Sequence, residues 1–124
     1  MANIALLGTG LLGSAIAEAA AKRGDIVTAL NRSADKARAL ADFGIRIAAS
    51  AVDAVRGAQR VHLVVKDDAA VEEVIASMRG GLAVDAVVID HSTTLPETTA
   101  ARVARLAAEG MRYLHCPVFM TPMA

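Results

Sequence analysis

The chain has 124 residues and 13 basic against 13 acidic side chains, so its formal net charge is zero and it carries no electrostatic footprint for nucleic acid or an anionic membrane. That length gives one domain with a real core, built from Ala, Val, Ile and Leu because the composition is 55% hydrophobic but 2% aromatic. The single cysteine, Cys116, excludes an internal disulfide and fits a reducing compartment; with no apolar run near the ~20 residues of a membrane span and no secretory leader visible, the expected location is cytoplasmic.

Strand and helix patterns alternate along the chain, which predicts an α/β fold of the Rossmann type: a doubly wound parallel sheet in a three-layer αβα arrangement. Asn3–Leu7 reads as a buried strand. Leu11–Arg23 reads as a helix with Leu12, Ala15, Ile16 and Ala19 on its inner face, closed by Gly24. Between them Gly8, Gly10 and Gly13 stand as G-x-G-x-x-G. In that context Gly8 permits a tight turn, Gly10 lets a pyrophosphate approach the backbone, and Gly13 lets the helix pack closely. The helix start would then favour the phosphate anion; a glycine turn without a ligand is the alternative.

Ile26–Leu30 is the second strand and ends in Asn31–Arg32–Ser33. An acidic residue here would hold the ribose of NAD. Its absence, with Arg32 able to pair with a 2′-phosphate and Ser33 able to donate, favours NADP. The plainer alternative is a solvated Arg32 and a Ser33 that only caps the next helix. That helix runs to about Phe43, with Ala37, Leu40 and Ala41 inward and Gly44 ending it. A short strand at Arg46–Ala48 and a short helix from Ser50 or Ala51 to about Arg56 follow.

Val61–Val65 reads as a strand buried on both faces. Asp67 and Asp68 open a helix to about Met78 that ends before Gly80–Gly81. Val87–Asp90 is the fifth strand, Pro96 opens a helix to about Glu109, and Met111–His115 is the sixth strand.

Ligands in such a sheet sit at the carboxyl ends of the strands. This selects Gly8–Gly13, Asn31–Ser33, Val65–Asp68, His91–Thr94 and Cys116–Thr121 as the loops to read. His62 lies within an apolar run and reads as structural; His91 and His115 lie nearer the edge but have no evident carboxylate partner. Cys116 has no basic neighbour to lower its pKa, the three histidines have no metal-ligand spacing, and no residue is assigned as catalytic.

Taken together, Gly8–Gly13, Asn31–Arg32–Ser33 with Lys36–Ala37 and Leu40, Asp68–Val71, Asp90–Thr93 with Pro96, and Tyr113–Leu114 with Pro117–Val118 resemble the N-terminal part of the β-hydroxyacid dehydrogenases. That superfamily includes 3-hydroxyisobutyrate dehydrogenase, tartronate semialdehyde reductase and 6-phosphogluconate dehydrogenase, and imine reductases are related to it. The resemblance implies that Gly8, Thr9, Gly10, Leu11, Leu12, Gly13, Asn31, Arg32 and Ser33 hold the cofactor. It implies that Val65, Lys66 and Ala70 form the loop that passes it, and that Ser92 and Thr93 reach toward nicotinamide and substrate, Thr93 touching both. Phe119, Met120 and Thr121 replace the family's small Ser-Gly-Gly set, which suggests a less polar substrate than a hydroxy acid. The resemblance also implies that the family's catalytic lysine and all-helical domain would lie beyond Ala124.

The expectation is therefore that residues 1–124 form an NAD(P)-binding domain. It would bind NADP, with NAD as the alternative, in an oxidoreductase that moves hydride to or from a small carbonyl, hydroxy acid or imine. The domain by itself would be inactive, the full-length protein would take a small-molecule substrate as a homo-oligomer, and neither nucleic acid nor membrane would be a partner. The rival reading is a stand-alone, non-catalytic module that binds or senses NADP(H).

Overall fold

A computed structural model describes residues 2–8, 11–30 and 34–117, with the backbone alone at Leu11, Leu12, Ala34, Lys36 and Ala37. Expectations on Thr9, Gly10, Asn31–Ser33, Val118 and Phe119–Thr121 lie outside the described residues. The strands are β1 (Asn3–Leu7), β2 (Ile26–Leu30), β3 (Arg46–Ile47), β4 (Arg60–Leu63), β5 (Val87–Asp90) and β6 (Arg112–His115). The helices are α1 (Leu11–Lys22), α2 (Ala34–Ala41), α3 (Ala51–Val55), α4 (Asp68–Met78) and α5 (Pro96–Ala108).

All pairings are parallel, and the order across the sheet is β3-β2-β1-β4-β5-β6. The chain winds outward from β1 to β3, then crosses back to β4 on the other side of β1. β1 thus sits at the reversal of strand order, where open α/β sheets leave a crevice. Its register places Leu7 between Leu30 of β2 and Leu63 of β4.

Consecutive apolar residues make β1 a strand buried on both faces, Ile4 through Leu7 all being at most 3% exposed. Ile4 and Leu6 pack with Ala17, Ala20, Val27 and Leu40 under α1 and α2. Ala5 and Leu7 pack with Val61, Leu63, Val71 and Leu106 under α3, α4 and α5. Side-chain caps fix two helix starts: the Asp53 N–H donates to Ser50 Oγ at 3.1 Å, and the Ala70 N–H donates to Asp67 Oδ1 at 2.8 Å.

The structure corrects several expectations. α1 packs through Gly13, Ala17 and Ala20, whereas Ala15 and Ala19 face solvent; in a helix of mostly small apolar residues the pattern does not single out one face. Ala41 of α2 is likewise exposed, although Leu40 is buried. β4 ends at Leu63: the Val64 N–H still donates to Leu7 O at 3.0 Å, but the Val65 N–H turns to Ser92 Oγ. β3 stops at Ile47, although the Ala48 N–H still donates to Ala29 O at 2.8 Å. A 3₁₀ turn at Arg79–Gly81 extends α4. A Cβ on Gly81 would lie 2.5 Å from Val52 O, a close approach between that turn and α3 that the sequence does not announce.

Candidate functional site

The carboxyl ends of β1 and β4 meet at the reversal of strand order. Gly8 leaves β1 with φ +92°, and a Cβ there would lie 2.0 Å from Val64 O and 3.1 Å from Val65 Cγ1. Gly8 thus needs glycine both for its dihedral and for the nearness of the β4 end. A Cβ on Gly13 would lie 2.6 Å from Gly8 O, so the first turn of α1 is pressed onto the glycine turn. The helix start is fixed at this edge with no acidic residue in its first turn. The N–H groups at a helix start have no intrahelical acceptor.

The opposite lip is the loop after β4. The Val65 N–H donates to Ser92 Oγ at 2.9 Å. Ser92 is 2% exposed; its own N–H donates to Asp90 Oδ1 at 2.9 Å, and its carbonyl accepts from His115 Nε2 at 2.9 Å. Ser92 therefore ties two loops together instead of standing open at the edge, with only its hydroxyl proton left to offer. Thr93 and Lys66 are exposed at this edge, and Ala70 is half-buried with its N–H committed to capping. The structure brings Gly8, Gly13, Val65 and Ser92 together; Thr9, Gly10 and Asn31–Ser33 lie outside the described residues.

Sequence reading missed a buried polar chain behind this lip. Asp90, fully buried, accepts from the Tyr113 hydroxyl through Oδ2. Burial first, and then Asp90, push the Tyr113 phenol well above its usual value, so it stays protonated and donates. The Arg102 guanidinium also acts electrostatically on that phenol, while its Nη1 is buried without a hydrogen-bond partner. Arg102 donates to Asp68 Oδ1 at 2.5 Å and to Glu72 Oε2 at 3.0 Å, and its bond to Asp68 is the largest cause holding the Asp68 carboxyl below the usual range. Asp68 also accepts from the Leu95 N–H at 3.1 Å and the Thr98 hydroxyl at 2.9 Å.

On the other face of the sheet, His62 and His91 stack with ring centroids 5.1 Å apart, and His62 Nδ1 lies 2.8 Å from His91 Nε2. His91 Nδ1 lies 3.0 Å from Cys116 O, which can only accept. In the neutral pair His91 therefore carries its proton on Nδ1 and accepts from His62 at Nε2. Burial, then the His91 charge, lower the His62 pKa from 6.5 to about 4. Below pH 6.5 the unfolded chain binds a proton that the folded chain refuses, so stability falls as pH drops from 6.5 toward 4. With a part-exposed ring the loss is on the order of 1–2 kcal/mol. Urea unfolding of wild type and His62→Asn at both ends of that window should show a flatter pH dependence in the variant; identical pH dependence would contradict the assignment.

Among the described residues no three His, Cys, Asp or Glu side chains are grouped to hold a metal, and no helix is long and apolar enough to cross a membrane. Six parallel strands in this order, helices on both faces and a glycine turn at the switch point define a Rossmann-type α/β domain. The family described as the NAD binding domain of 6-phosphogluconate dehydrogenase matches residues 3–119, and the chain belongs to that family. It is 32% identical over 124 residues to 3-sulfolactaldehyde reductase of Escherichia coli K12, covering 98% of this chain and 42% of that protein. It is 30% identical over 119 residues to the cytokine-like nuclear factor N-PAC of Xenopus tropicalis, covering 94% of this chain and 22% of that protein.

Among solved structures, a reductive aminase from Aspergillus terreus in complex with NADPH4, cyclohexanone and allyl amine superposes with a TM-score of 0.83 at 26% identity, over 98% of this chain and 43% of that one. The 3-hydroxyisobutyrate dehydrogenase of Mycobacterium tuberculosis shares the fold, with a TM-score of 0.90 at 24% identity over 97% of this chain and 41% of that one. The chain thus spans less than half the length of these proteins.

Proposed function

We propose that the carboxyl edge formed by Gly8–Gly13, Val65–Ala70 and Ser92–Thr93 binds NADP(H), and that the chain is the cofactor domain of an oxidoreductase. The carrying observation is the seating of α1 on Gly8 through Gly13 at the switch point, within a chain of an NAD-binding family. The residues present fit a dinucleotide: the first turn of α1 has no carboxylate to repel a phosphate. Gly10 and the α1 start would take the pyrophosphate, Arg32 and Ser33 the 2′-phosphate, and Thr93 with the Ser92 hydroxyl the nicotinamide end. When bound, the nicotinamide gives or accepts a hydride; the protein's part is to orient it and to exclude water.

Support for a carbonyl or imine substrate comes from the relatives, whose names are those of an aldehyde reductase and a reductive aminase. In such an enzyme the proton donor and the second wall of the cleft would lie outside residues 1–124, and this domain alone would not turn over substrate. We extend the reading to a cytoplasmic homo-oligomer; Leu114, 53% exposed beside half-buried Ile89 on the sheet face away from α3–α5, offers apolar surface for a second copy. The similarity to a protein named a nuclear factor favours a second reading, a non-catalytic NADP(H)-binding module.

The cofactor choice is tested by titrating NADPH and NADH into wild type and Arg32→Ala. Wild type should prefer NADPH by about tenfold or more, a preference the variant loses, as one charge-assisted phosphate contact predicts. Equal affinities in wild type would contradict the NADP reading.

A further inference from the structure

We infer that Tyr113 is a positioning residue for the nicotinamide end of the site, an inference that rests on the dinucleotide reading above. The Tyr113 side chain is too far back to be a site residue: it is 6% exposed and packed in the core cluster under α4 and α5. Its hydroxyl is nevertheless one end of a short buried chain that ends at the candidate edge. Tyr113 donates to one oxygen of Asp90, and the other oxygen of Asp90 accepts from the Ser92 N–H. Ser92 Oγ in turn accepts from the Val65 N–H. Tyr113 within β6, Asp90 at the end of β5 and Val65 just past β4 are thus linked through side chains, in addition to the ladder.

The far end of the Val65–Asp68 loop is held separately: Arg102 donates to Asp68. Val65 and Asp68 are therefore both held from behind, and Lys66 and Asp67 are presented to solvent between two fixed points. Both Asp90 oxygens are committed, and a buried carboxyl oxygen left without its donor is costly, so the group turns in search of another. Removing the phenol hydroxyl frees Asp90 to turn, which releases Ser92 and, through it, Val65. The glycine turn and the start of α1 are not part of this chain, so the phosphate half of the site should be untouched.

That separation supplies the test. The 124-residue chain and its Tyr113→Phe variant, which keeps the ring that fills the core, are titrated with NADP⁺ and with 2′-phospho-ADP-ribose, the same ligand without nicotinamide. The variant should lose about tenfold in affinity for NADP⁺, the scale of one buried hydrogen bond, and bind the shorter ligand as wild type does. Ser92→Ala, which removes the acceptor for the Val65 N–H, should show the same split. Unchanged NADP⁺ binding in Tyr113→Phe, or equal losses for both ligands, would overturn the positioning role while leaving the cofactor reading standing. Wild type that binds neither ligand would overturn both.

Discussion

Gly8→Ala is expected to destabilise the fold by on the order of 3–5 kcal/mol, a large part of the roughly 5–15 kcal/mol that holds such a domain together. Two costs combine. The residue has φ +92°, where an L side chain is strained by about 1–2 kcal/mol. The new Cβ would also overlap Val64 O at 2.0 Å. That carbonyl cannot simply move away, because the Val64 N–H is anchored to Leu7 O at 3.0 Å. Gly24 is the internal control: its φ is +96°, yet nothing lies within 4 Å of the position a Cβ would take there, so Gly24→Ala should cost only about 1 kcal/mol. Urea unfolding of the two variants side by side checks this. Equal losses would mean that the β1–β4 crossing is not as tight as the structure has it.

This glycine turn was legible from the sequence because its physics is local. An apolar run, G-x-G-x-x-G and an alanine-rich helix follow one another without interruption. β1, β2 and β5 likewise fall where expected, since each is a short apolar run bounded by turns. Legibility failed where neighbouring alternatives are chemically alike. Ala15, Ala17, Ala19 and Ala20 differ in burial but not in kind, so the inner face of α1 could not be chosen by pattern. The run Val61–Val65 looks like one strand, yet β4 ends at Leu63, and the two valines that follow are apolar because they still pack inward: Val65 against the core under α4 and Val64 against that under α1.

The buried chain behind the site was hidden for another reason. Its partners, Asp90 with Tyr113 and Arg102 with Asp68, are 23 and 34 residues apart. One signal was present: Arg102 falls between Thr99 and Leu106 on the buried stripe of α5, and an arginine on an apolar stripe requires an acidic partner. Similarly, His91 lacked a carboxylate partner in the sequence, and the structure gives it His62 and a backbone carbonyl instead.

The second large effect concerns the ligand rather than the fold. Gly10 lies outside the described residues, and its role is read from the motif: the glycine at which a pyrophosphate meets the backbone. Gly10→Val places a branched side chain where that phosphate would lie. The expected loss of dinucleotide affinity is on the order of a hundredfold or more, since the phosphate contacts at a helix start are lost together. Gly8 and Gly13 cannot serve in this experiment, because each is already required by packing.

The most direct measurement is therefore an NADPH titration of the wild-type 124-residue chain and of Gly10→Val, followed by backbone amide spectra. The account predicts saturable one-to-one binding to wild type. Shifts should be concentrated at Gly8, at Val65–Ala70 and at Ser92–Thr93, and both binding and shifts should vanish in a variant whose spectrum remains folded. Absence of saturable binding by wild type, undiminished binding by Gly10→Val, or shifts gathered at the opposite edge of the sheet around Asn3, Thr28 and Arg56, would contradict it.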